Sequence, residues 1–111
     1  MTDKNYYIYI LETECGKFYC GITDNLRNRF RKHKSGKGAK FTRSFKPKKI
    51  SAAWSADSRE NALKIEIMIK KLNRNEKDKL VGNPDLLHVL LDIDENDFPA
   101  DIVKIDENDF V

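Results

Sequence analysis

Two stretches, residues 6–12 and 17–23, are dense in aromatic and β-branched side chains, and Thr13-Glu14-Cys15-Gly16 lies between them. This pattern predicts a β-hairpin. With Glu14-Cys15-Gly16 as a three-residue loop and Gly16 in the left-handed region, Thr13 pairs with Lys17, Leu11 with Tyr19 and Tyr9 with Gly21. Tyr9 and Tyr19 then share a face as diagonal neighbours. A four-residue loop would move the register by one and put them on opposite faces. Gly21 opposite Tyr9 marks either a close approach of a ligand to the sheet or a simple bulge.

After the hairpin the period changes. Asp24 is placed to cap a helix from Asn25 to about Lys34, in which Leu26, Phe30 and His33 form the buried stripe, with Arg29 one turn before His33. Residues 35–40 read as a loop whose glycines are wrongly spaced for a Walker phosphate loop. Alternating Ile50, Ala52 and Trp54 predict a third strand over 48–56. Asp57 and Glu60 have capping-box spacing for a helix to about Asn73, with Ala62, Ile65, Met68, Ile69 and Leu72 as its apolar stripe. Glu66 falls at the margin of that stripe. A carboxylate there needs a basic partner or a metal ion, because a desolvated charge is costly alone. A shorter helix over 75–81 comes next, and Gly82-Asn83-Pro84 ends the predicted domain.

With 111 residues the chain is long enough for one core, which divides it into a domain over 1–82 and a tail over 83–111. Charge divides at the same place. Residues 1–82 hold 20 Lys/Arg against 9 Asp/Glu, while residues 83–111 hold 1 against 9 and repeat IDENDF at 93–98 and 105–110. The repeat lacks the glycine and final carboxylate of an EF-hand loop. It is either a solvated acidic tail or a segment that folds over the basic face as a nucleic-acid mimic. From Arg27 to Lys49, 11 of 23 residues are Lys or Arg and none is acidic. With Phe30, Phe41 and Phe45 interleaved, this segment points to a polyanion, and Arg27, Lys37, Lys40, Arg43 and Lys46 are its candidate nucleic-acid contacts. Cys15 and Cys20 have no further Cys or His cluster to complete a zinc site, so ordinary packing is expected. No apolar run approaches 18 residues and the N-terminus lacks a secretory pattern, so a cytoplasmic protein that makes no membrane contact is expected.

One ordered set of residues carries a resemblance. YIY at 7–9, YCG at 19–21, Arg29, His33 four residues later and Glu66 in the later helix resemble the GIY-YIG nuclease superfamily. SGKGAKFTR at 35–43 and IKKLNRNEK at 69–77 are similar to its small, stand-alone members. The resemblance covers about residues 5–82. It implies an α+β fold, a three-stranded antiparallel sheet flanked by helices, and a nuclease site that uses Mg²⁺ or Mn²⁺.

Position by position, the resemblance makes Tyr9, Tyr19, Arg29 and His33 catalytic and Glu66 the metal ligand. It assigns Tyr9 to accept the proton of the attacking water, a task for which a phenol of pKa about 10 needs help from Arg29, the metal or His33. The implied activity is DNA endonuclease cleavage, structure-selective or weakly sequence-specific, of a kind used in repair. A non-catalytic DNA- or RNA-binding module on the same fold and an adaptor that works through the acidic repeat are the alternatives. Tyr7 replaces the first glycine of the family's motif, and Cys20 an apolar residue of the second. Asn73, Asn75 and Asn83 all compete for the asparagine found late in many family sites.

Overall fold

In the computed structural model, which describes residues 5–105, one antiparallel sheet is sandwiched between helices. Its strands are β1 (Tyr6–Thr13), β2 (Phe18–Thr23), β3 (Pro47–Ala56) and β4 (Ala100–Ile102), in the order β2-β1-β3-β4. The helices are α1 (Leu26–Lys34), α2 (Lys40–Ser44), α3 (Arg59–Lys70), α4 (Arg74–Gly82) and α5 (Leu87–Leu91). No helix of the described residues is long and apolar enough to cross a membrane.

Central β1 explains why the hairpin sequence is apolar at consecutive positions instead of alternating. Ile8 and Ile10 face Ala62, Ile65, Ile69, Leu80 and Leu87 of α3, α4 and α5. Tyr9 and Leu11 face Leu26 and Phe30 of α1. A strand buried on both sides has no polar face to display. The hairpin takes the three-residue register: Leu11 lies opposite Tyr19, Tyr9 opposite Gly21, and Gly16 adopts φ +85°. The Thr13 N–H donates to the Lys17 carbonyl at 2.9 Å, and Arg74 at the start of α4 donates to the Gly16 carbonyl at 2.7 Å.

Several expectations are corrected. The sheet has four strands, since Ala100–Ile102 of the acidic segment pairs with the free edge of β3. The added strand is only three residues long, so its alternation was too brief to read. Expected as one stripe, Ile50, Ala52 and Trp54 are split between the two sheet faces. A register shift opposite Ile10 and Leu11 leaves Ser51 as an extra residue, and a bulge of this kind reverses the facing of the residues beyond it. Asn25 caps α1, accepting from the Asn28 N–H, in place of Asp24. Ser58 caps α3, accepting from the Asn61 N–H, while Asp57 accepts from the Asn61 side chain. The capping box occurs one helix later, between Asn73 and Glu76.

The segment after Gly82 begins as a packed element. Leu87 is buried, and the Trp54 indole donates to the Pro84 carbonyl at 3.1 Å. Phe98 and Ala100 lie against the same core, and the Phe98 carbonyl accepts from His88 Nε2 at 2.7 Å. The second IDENDF copy lies outside the described residues from position 106 onward.

Candidate active site

Tyr9, Tyr19, Arg29 and His33 come together on the α1 side of the sheet. Strand periodicity aims Tyr9 at α1, and β2 brings Tyr19 beside it, with ring centroids 6.3 Å apart. Helical spacing stacks Arg29 and His33 on the α1 face that meets these rings. The Arg29 guanidinium lies beside both tyrosine hydroxyls, close enough for its charge to act on them. Tyr9 Oη lies 2.8 Å from His33 Nε2, and the Tyr19 ring packs edge-on to the imidazole at 5.2 Å between centroids. Tyr9 is 1% exposed and His33 is fully buried.

Burial governs the electrostatics of this cluster. It pushes the Tyr9 phenol well above its ordinary value, against the opposing influence of the Arg29 guanidinium. It also lowers His33 to about 4, helped by the positive charge of Arg29. His33 is therefore neutral at physiological pH. The expectation that it helps Tyr9 as a cation does not hold, because a buried imidazole beside a guanidinium gives up its proton first.

Gly21 leaves space, but the protein itself fills it. A Cβ at this position would lie 2.6 Å from Tyr9 Oη and 3.2 Å from Tyr19 Cε2, so the absent side chain makes room for the two tyrosines. Gly38 does the same for His33: a Cβ there would lie 2.5 Å from Nδ1. The sequence predicts only a loop after Lys34, because α2 is too short for a periodic signal. This helix carries Thr42, 2% exposed, with Oγ1 2.7 Å from His33 Nδ1. Only the hydrophilic type of a residue between Phe41 and Arg43 hinted at it, and that is no signal of burial.

Glu66 stands apart from this cluster. It lies on α3, on the opposite face of the sheet, close enough to β2 that its charge, after burial, helps push the Cys20 thiol up to about 12. Its side chain is 12% exposed and its ion-pair partner is Lys70, one turn along its own helix at 3.7 Å, not a residue of the basic segment. β2 is an edge strand, with the α3 side that carries Glu66 on one face and the tyrosine cluster on the other. Among the described residues no three His, Cys, Asp or Glu side chains cluster as a complete metal cage. A single, largely buried carboxylate can serve Mg²⁺, which keeps waters and takes substrate oxygens as its remaining ligands.

Lys37, Lys40, Arg43 and Lys46 are exposed around the cluster on the loop, α2 and the start of β3. Arg27, also exposed, borders a separate hollow with Tyr7, Asn25 and Lys104. Aromatic rings continue outward from the cluster: Tyr19 stacks on Phe41 at 5.7 Å, Phe41 meets Phe45 at 4.8 Å, and Lys17 Nζ sits 4.8 Å above the Phe45 ring. Of the asparagines considered, Asn73 and Asn83 use their side chains as caps. Cys15 and Cys20 are both free thiols.

An antiparallel sheet between helices, with paired tyrosines and an arginine on one face of its hairpin, defines the class. The family model described as the GIY-YIG catalytic domain matches residues 5–79, and the chain belongs to the GIY-YIG family. Its relatives within that family are UPF0213 proteins. BH0048 of Halalkalibacterium halodurans is 44% identical over 78 residues, 70% of this chain and 83% of the relative. The Cupriavidus necator protein H16_B0156 is 44% identical over 75 residues, 68% and 82% of the two chains. The Yersinia enterocolitica protein YE0453 is 38% identical over 94 residues, 84% and 97% of the two chains. The solution structure of the UPF0213 protein BH0048 from Bacillus halodurans is 40% identical, covering 81% of this chain and 99% of that one, with a TM-score of 0.47.

Proposed function

We propose that the chain is a metal-dependent endonuclease that hydrolyses phosphodiester bonds in DNA, structure-selective or only weakly sequence-specific. The observation that carries this reading is the juxtaposition of two tyrosines, an arginine and a buried histidine within a face of lysines and arginines. Hydrolysis at phosphorus builds negative charge on the phosphoryl oxygens and on the leaving oxygen. Arg29 is placed to take the first of these with a planar fork that never loses its proton. Tyr9 is the acceptor of the attacking water's proton, and Tyr19 orients water or phosphate through its hydroxyl. Lys37, Lys40, Arg43 and Lys46, with Arg27 further along α1, hold flanking phosphates and release counterions.

Glu66 is the residue that would hold the divalent ion. When bound, the ion supplies Lewis-acid neutralisation of the developing charge. A domain this small offers about 600–1,000 Å² of contact, too little for long sequence readout.

The test is cleavage of labelled plasmid, branched and single-stranded DNA with and without Mg²⁺ or Mn²⁺, using wild type, Tyr9→Phe and Glu66→Ala. Metal-dependent cutting by the wild type, lost in both variants with the fold intact, is the expected result. Binding at low salt without cutting, equal in all three, would instead make the chain a DNA- or RNA-binding module.

A further inference from the structure

The hydrogen-bond chain behind Tyr9 runs four groups deep. From Tyr9 Oη it passes to His33 Nε2 at 2.8 Å, from His33 Nδ1 to Thr42 Oγ1 at 2.7 Å, and from Thr42 Oγ1 to the Ala39 carbonyl at 2.9 Å. With the Thr42 hydroxyl donating its one proton to the Ala39 carbonyl, which can only accept, the directions of the whole chain follow. Toward His33 it can then only accept, which puts the histidine's proton on Nδ1. In a neutral ring Nε2 is consequently a bare lone pair, and Tyr9 must donate to it.

We propose that Thr42 is a positioning residue that locks His33 in the Nδ1–H form, so that Nε2 receives the proton of Tyr9 during the reaction. The catalytic half of this assignment rests on the nuclease reading; the tautomer half does not. Tyr9 gives its proton to Nε2 as its oxygen takes one from the attacking water, leaving the phenol neutral and never requiring a free phenolate in a buried site. The resulting hydroxide forms the new P–O bond, the bond to the leaving oxygen breaks, and that oxygen takes a proton from solvent. His33 holds the stored proton as imidazolium, with Nδ1–H still anchored on Thr42, and returns it to solvent after turnover. Arg29 lies beside Tyr9 Oη, an oxygen that keeps a lone pair for the water's proton while its own proton is on His33.

The surroundings of the ring set its resting charge. The titratable and charged groups that face His33 are Tyr9 from β1, Tyr19 from β2 and Arg29 from its own helix. Thr42 of α2 and Gly38 of the preceding loop close the Nδ1 side without a charge. With no carboxylate of the described residues against it, the imidazole rests neutral and is free to accept. Gly38 seats the loop against the Nδ1 edge, where a methyl group would collide with the ring.

Two readouts test the assignment. Long-range ¹⁵N–¹H NMR of the imidazole rings identifies the protonated nitrogen directly; the sequence has only two histidines, and a His88→Gln variant assigns the signals. Wild type at pH 7 should show Nδ1–H for His33. Thr42→Val should move the ring to Nε2–H or a mixture, and Thr42→Ser should restore the wild-type pattern. In the cleavage assay, Thr42→Val should lower the rate on the pH plateau by roughly 10²-fold, the scale of lost acid–base catalysis, and displace the acid limb. Thr42→Ser should recover most of that loss.

An Nε2–H ring in the wild type would overturn the lock whether or not the protein cuts DNA, and needs no variant to fold. A Thr42→Val protein with wild-type rate and pH profile would overturn the proton transfer. Absence of cleavage by the wild type on every substrate would refute the nuclease reading and with it the catalytic half. The NMR result would still decide the tautomer.

Discussion

Gly21→Ala is the substitution in which a single methyl group should do the most damage. The new Cβ would meet Tyr9 Oη at 2.6 Å and Cζ at 2.8 Å. Ordinary contact requires the hydroxyl to retreat by about 0.8 Å, at the steep repulsive wall of the van der Waals potential. Retreat is hindered, since the ring is 1% exposed and wedged among Leu11, Leu26, Phe30 and Ala53. Overpacking of this kind costs roughly 1–3 kcal/mol. Whichever way the ring moves, its 2.8 Å bond to His33 loses its geometry and its hydroxyl shifts relative to Arg29. A misplacement near 1 Å at reacting groups is worth about 10²-fold in rate.

Urea denaturation and metal-dependent cleavage, measured on the same preparation, check both figures. Gly16→Ala is the control: its backbone sits at φ +85° but nothing lies within 4 Å of an added methyl, so it should lose about 1 kcal/mol with the cleavage rate unchanged. A Gly21→Ala protein with wild-type stability and rate would refute the packing argument. Loss of stability without loss of rate would remove Tyr9 from the chemistry.

Acidification should destabilise the protein through His33. Its folded value of about 4 lies below the unfolded value of about 6.5, so its contribution is complete above pH 6.5 and is lost as pH falls towards 4. At about 1.4 kcal/mol for each pH unit this is roughly 3 kcal/mol, which should appear as a slope in urea midpoints that is reduced in His33→Gln; equal slopes would disprove it. Leu87→Ala, at a site 1% exposed beyond the predicted domain end, should cost about 2–5 kcal/mol by thermal or chemical unfolding, and a negligible change would show that the segment after Gly82 adds nothing to the core. Changing Lys40 and Arg43 together to Ala should weaken DNA binding and reduce the slope of log affinity against log salt by about 1.8, for two lost phosphate contacts. An unchanged slope would move the nucleic acid off α2.

Local signals were enough for much of this architecture. The hairpin register came from one glycine and a loop length, because side-chain facing repeats every two residues and a turn sets its origin. The stripe of Leu26, Phe30 and His33 came from helical spacing, and both are relations between near neighbours in the chain. The ordered tyrosines, Arg29, His33 and Glu66 marked the family by their resemblance to its motifs. Tertiary structure decided the rest. It turned Ile50 away from Ala52 through a bulge at Ser51, added a fourth strand from the acidic segment, and set Glu66 across the sheet from the tyrosines. It also brought Thr42 to His33 and emptied Gly21 and Gly38 of side chains for the sake of rings elsewhere in the sequence. Burial then reversed the expected charge of His33. Desolvation depends on what surrounds a group in three dimensions, and no spacing along the chain encodes that.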